Sequence, residues 1–198
     1  MKYSASTLGA FLGLLVLEQE QKAICFKAVN DVLGLGLDGQ DRFWFGLSIW
    51  RLIIWELVME QDATLTPSET EEVRKAMREG VFQSYANTNV DPLQLLCDSS
   101  ELESVLGPRA GGSGRDLSPG ELVEATFYVR LERARSDLAR CSGVIPGKAL
   151  ILFGEAFLEQ VCGEARLSCD RATAIEVLEI VVRQHYVGAL DMWRKLRG

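Results

Sequence analysis

The chain has 198 residues, 47% of them hydrophobic, with 21 basic against 28 acidic side chains for a net charge of −7. That is enough chain for one domain with its own core and too much apolar content for a disordered one. The negative balance argues against a phosphate backbone or an anionic membrane surface as partner, because both would be repelled.

The five cysteines, Cys25, Cys97, Cys141, Cys162 and Cys169, are odd in number, scattered and never in CxxC spacing. They read as small buried hydrophobes in a reducing compartment, with neither a zinc knuckle nor a redox pair suggested. At the N-terminus, Lys2 precedes an apolar run from Leu8 to Leu17 that superficially resembles a secretion signal. The run lacks a small-x-small cleavage site and continues into Glu18, Gln19, Glu20 and Gln21, as an amphipathic helix would. No apolar run reaches the roughly eighteen residues that a membrane span needs, so a soluble chain is expected.

Helical periodicity dominates, and β-branched residues do not gather into alternating runs. The first helix is expected from about Ser4 to Leu33, with a break near Gly13, closed by the turn Gly34-Leu-Gly36-Leu-Asp-Gly39. The second, from about Gln40 to Gln61, carries Trp44, Trp50 and Trp55 with only Arg42, Arg51 and Glu56 as prominent charges, so most of its surface must be covered. Thr66-Pro67-Ser68-Glu69 and Ser118-Pro119-Gly120-Glu121 are capping boxes that open helices reaching to about Tyr85 and Cys141. Between them lie a short helical stretch from about Pro92 to Leu106 and a Gly-rich loop at about 107–117. Pro146 to Cys162 is apolar nearly all round and is expected to be the most buried helix, in contact with nearly every other. The last helix begins near Ser168 with an apolar stripe of Ile175, Leu178, Val182, Tyr186, Ala189, Trp193 and Leu196, leaving Glu176, Glu179, Arg183 and Arg194 to water. The fold class that follows is all-α: a single-domain bundle of six to seven helices around one central apolar helix.

Catalytic signatures are weak. His185 is the one histidine, so a triad would have to be built on it alone, and its bland reading is a half-buried residue beside the apolar stripe. Gly34, Gly36 and Gly39 spell GxGxxG but follow a helix instead of a strand, and Gly147-Lys148 lacks the rest of a phosphate loop. Glu69, Glu71 and Glu72 sit in a first helical turn, where the helix dipole favours carboxylates. No enzymatic activity, metal or cofactor is expected.

Three stretches, in order, carry a family resemblance. Glu72-Val-Arg-Lys-Ala-Met-Arg-Glu-Gly-Val-Phe82 looks like a V-K-x-A-L-R-E-A-G-D-E-F motif. Ser142-Gly-Val-Ile-Pro-Gly-Lys148 followed by the apolar run to Phe157 looks like a D-G-V-N-W-G-R turn leading into a buried helix. Trp193-Arg-Lys-Leu-Arg-Gly198 has the tryptophan-to-glycine spacing of W-I-x-x-x-G-G-W. Together they resemble the third, first and second homology motifs of the B-cell lymphoma-two family of apoptosis regulators, in a divergent, viral-looking form.

The resemblance implies a protein that inhibits apoptosis by holding an amphipathic helix of a pro-apoptotic partner in an apolar groove. It implies Phe82 and Tyr85, Leu138 and Ala139, and Leu150 and Ile151 as groove walls, with Gly147 in the turn and Lys148 pairing with the partner's aspartate. It implies a cytoplasmic location, and residence at the mitochondrial outer membrane for a chain carrying a C-terminal anchor. The residues themselves leave a second reading open, an acidic helical interaction protein such as an immunity protein or signalling adaptor that binds no death helix.

Overall fold

The computed structural model describes residues 3–62, 65–87, 118–141, 148–162 and 167–197. These residues form helices and no strand: α1 (Ala5–Leu17), α2 (Gln19–Leu33), α3 (Asp38–Glu60), α4 (Pro67–Ala86), α5 (Pro119–Arg140), α6 (Lys148–Cys162) and α7 (Arg171–Arg197). The all-α class is as expected, and no described helix is long and apolar enough to cross a membrane. The helix expected at about 92–106, the loop at 107–117 and Gly147 lie outside the described residues.

Both capping boxes form. Thr66 Oγ1 accepts from the Glu69 N–H and Ser118 Oγ from the Glu121 N–H, while each glutamate accepts from the cap residue's own N–H. The first helix breaks at Glu18 and not at Gly13, since Glu18 leaves helical geometry at φ −53°, ψ 113°. Gly13 stays helical, and its missing side chain lets α1 approach α4, where an added Cβ would stand 3.1 Å from the Met77 carbonyl oxygen. At the far end of α2, Gly34 adopts φ +70°, which a side-chain-bearing residue rarely does, and its N–H caps the Asn30 carbonyl at 2.8 Å.

The centre of the bundle is α3, where the apolar sequence from Pro146 had placed the 148–162 helix. From Phe45 to Met59 every residue of α3 is buried, and α3 packs on all the other described helices. By contrast, among the described helices α6 packs on α7, α3 and α5 only, and it has an outer face: Ile151 is 51% exposed, and Glu155 and Glu159 pair with Arg171. An apolar run shows that a helix is mostly covered, not how many neighbours cover it. Aromatic contacts knit the centre together, with Phe43 stacked on Phe157 at 5.5 Å, and Phe26 tilted against Phe43 at 5.6 Å and Trp50 against Phe153 at 5.2 Å.

Three further ties fix the frame. Gly9 and Gly13 bring α1 backbone-close to Val73 and Met77 of α4, and Gly154 does the same for α6 on α7. Glu56, fully buried on α3, pairs with Arg74 and Arg78 of α4, and Glu60 takes Arg74 and Arg135 of α5. Asp62 accepts from the Trp193 indole N–H at 2.7 Å and from Arg197, pinning the end of α7 to the end of α3. Glu179, expected in water, is buried on α7 and held by Arg183.

Candidate functional site

The residues singled out by the family resemblance fall on three helices. On α4, Phe82 is buried against Phe127 at 5.7 Å, and Tyr85 stands edge-on to Phe45 at 5.5 Å. The Tyr85 hydroxyl donates to Ser48 Oγ at 2.9 Å, and burial pushes its phenol up to about 12 despite that bond. On α5, Leu138 is half-buried and Ala139 exposed. On α6, Lys148 is exposed, Leu150 buried and Ile151 exposed. Helix α4 packs on α5 and α5 on α6, but α4 and α6 do not meet, so Phe82 and Tyr85 do not share a wall with Leu150 and Ile151. The groove that opens beside Phe82 is rimmed by charges, with Glu71, Lys75, Arg78, Glu79, Glu121 and Glu124 around Phe82 and Tyr128.

A more apolar recess lies between α1 and α7. Helices α1 and α7 both pack on α3 but not on each other, which leaves a cleft between them. Near the start of α1, Tyr3, Thr7, Leu8 and Phe11 face Leu196 of α7 across a space of about 190 Å³. Near its end, Leu15 and Glu18 face Gln184, His185, Gly188, Ala189 and Met192, over a floor of Arg51, Ile54 and Trp55 and a cavity of about 200 Å³. The two helices thus run antiparallel along the cleft. Residues 3–17 carry no charged side chain, and Tyr3 and Phe11 remain 46% and 43% exposed.

The deep end of the cleft is electropositive. Arg51 is 4% exposed, and its guanidinium donates to the carbonyls of Leu15, Val16 and Glu18 at 3.3–3.4 Å and to Gln21 Oε1 at 3.0 Å. It therefore caps the carbonyl end of α1 at the Glu18 break, where a cation is favoured. Lys22 is also 4% exposed, and burial together with Arg51 lowers its ammonium to about 8. Cys25 Sγ lies 3.8 Å from His185 Nε2. Burial raises the Cys25 thiol, and burial plus the Arg51 charge lowers His185 to about 4, so both are neutral at pH 7. A thiol and imidazole in those states are not an activated nucleophile pair, which needs thiolate beside imidazolium.

Neither the cleft nor its cations were apparent as a site in the sequence. The available signal was Arg51 itself, a charge inside a helix otherwise covered all round, and an α1 run with no polar face to give to water.

His185 makes this end testable by pH. Its folded value of about 4 lies below the ordinary 6.5, so between those values the unfolded chain binds a proton that the folded chain refuses. Stability is expected to fall as pH is lowered from 6.5 to 4, by on the order of 3 kcal/mol from this group. Urea midpoints for wild type and His185→Gln across that window check it. Parallel curves for the two proteins would show that His185 titrates normally.

Compared with protein-family models, with curated proteins and with solved structures, the chain matches none.

Proposed function

We propose that this protein is an interaction module whose α1–α7 cleft receives the apolar face of an amphipathic helix from a protein partner. The observation that carries the reading is the pair of cleft walls: they do not pack on each other, yet α1 presents half-exposed Tyr3 and Phe11 opposite Leu196, and α7 presents half-exposed Met192 above a floor from α3. Helix-in-groove binding uses such apolar walls, with anchors of the incoming helix at i, i+3, i+4 and i+7. The net charge of −7 favours approach by a helix whose outer face is basic.

The second reading, drawn from the family resemblance, keeps the same mode of binding but places a pro-apoptotic helix on α6. It is favoured by one feature, the exposure of Lys148 and Ile151 nearly one turn apart at the start of that helix. Lys148 would then meet a carboxylate of the partner, giving a charge-assisted contact of roughly 1.5–3 kcal/mol.

A titration against amphipathic helical peptides, pro-apoptotic death-motif helices included, separates the readings. With the cleft as the site, Phe11→Glu weakens a bound peptide at least tenfold, about 1.4 kcal/mol, at nearly unchanged melting temperature, and Lys148→Glu has no effect. The reverse pattern moves the site to α6. Absence of binding across the panel would remove helix binding as the function.

A further inference from the structure

We propose that the cavity at the deep end of the α1–α7 cleft is a binding site for a small monocarboxylic acid with an apolar body, its carboxylate held by Arg51. The inference does not depend on what docks along the rest of the cleft.

The cations at this end have no direct ion-pair partner among the described residues. The acidic side chain nearest Arg51, the Glu18 carboxylate, acts on it through the field and not through an ion pair, while the Glu18 carbonyl accepts one of its hydrogen bonds. Buried cations ordinarily have a paired anion, because desolvation of a lone charge is costly. Three of the four hydrogen bonds made by Arg51 are long, at 3.3–3.4 Å. A guanidinium has five N–H donors in a planar fork, and a carboxylate would meet it at roughly 2.7–2.9 Å, shorter and stronger than those carbonyl contacts.

The rest of the lining sets what the acid looks like. Leu15, Ile54, Trp55 and Met192 offer an apolar wall, and Gln21 and Gln184 add neutral polar groups beside Arg51. A volume of about 200 Å³ exceeds the roughly 150 Å³ of an apolar cavity known to hold benzene. Glu18 lines the same space, and its charge opposes a second negative charge on the ligand. One carboxylate on a ring-sized apolar body satisfies all of these at once, whereas phosphate or a dicarboxylate does not. Exposed Gly188 and Met192 mark the open side, and nothing lies within 4 Å of a Cβ added at Gly188.

The test uses the whole chain, sodium benzoate as the probe, and the imidazole resonances of His185, the single histidine, which lines the cavity. At pH 7 benzoate is expected to shift them saturably, with benzamide at least tenfold weaker and inorganic phosphate without effect. The bound negative charge should also raise the titration midpoint of His185 from about 4. Arg51→Gln removes the cap on α1 and can unfold that helix, so the deciding variant is Gly188→Phe, which fills the open side from a position with room for a side chain. It should abolish the benzoate shift while keeping the melting temperature. No saturable shift, equal affinity for benzamide, or undiminished binding by Gly188→Phe would each overturn the site. Equal affinity for N-acetylglutamate amide would transfer it to an acidic side chain of a protein partner and overturn the small-molecule assignment.

Discussion

Glu56→Ala is expected to lower the free energy of unfolding by about 3–5 kcal/mol, the cost of removing one partner from a buried ion pair. Glu56 lies at the centre of α3 with a fully buried carboxylate, and Arg74 and Arg78 reach it from successive turns of α4. Burial, the largest influence, pushes its carboxyl above the usual carboxylate range, and the two guanidinium groups oppose that shift. Deleting it leaves two cations, with side chains 16% and 11% exposed, holding only their contacts to the more exposed Glu60 and Glu71. Glu71→Ala removes an acid of the same network that is 57% exposed and should cost no more than about 1 kcal/mol. Urea denaturation of the two variants checks the contrast. If burial is the reason, the triple variant Glu56→Leu, Arg74→Met and Arg78→Met should recover most of the loss, because an apolar replacement of the whole cluster removes the desolvation cost with the charges. Similar losses for Glu56→Ala and Glu71→Ala would mean that the carboxylate is hydrated in solution.

Elements governed by local chemistry were legible in the sequence. The two capping boxes name their own first residues, the turn at Gly34 announces itself through a glycine that takes φ +70°, and the tryptophan-rich α3 is covered as its composition requires. Questions of which helix meets which were not. The 148–162 helix and α3 are both mostly apolar, and only the packing shows that α3 is surrounded while α6 keeps Lys148 and Ile151 in solvent. Candidate groove residues chosen by motif split between α4, α5 and α6 for the same reason, since adjacency of non-consecutive helices leaves no local mark. The cleft was hidden twice over. Tyr3, Phe11 and Leu14 look like core in a run that is apolar throughout, and Arg51 gives no sign in sequence of reaching back to the carbonyls of residues 15, 16 and 18.

Those carbonyls belong to a helix whose position depends on two glycines, and Gly9→Val is expected to cost about 3 kcal/mol, the upper end for overpacking a closed contact. A Cβ at Gly9 would lie 2.3 Å from the Val73 carbonyl oxygen and 2.7 Å from the Ala76 Cβ. The first of these is backbone inside a helix and cannot swing aside as a flexible side chain would, so α1 itself must move off α4. Moving it uncovers Leu8, Leu12 and Val16, which are all but fully buried, and loosens the cleft wall that carries Tyr3 and Phe11. Gly13→Ala, with its Cβ 3.1 Å from the Met77 carbonyl oxygen, asks for a shift of only tenths of an ångström and should cost less. Gly80 is the control: nothing lies within 4 Å of a Cβ there, so Gly80→Ala should stabilise by about 0.5–1 kcal/mol through helix propensity alone. Urea unfolding ranks the three, and hydrogen exchange locates the effect, with protection lost first in α1 of Gly9→Val. A Gly9→Val protein as stable as wild type would mean that α1 does not lie backbone-to-backbone on α4, and the cleft it walls would fall with that contact.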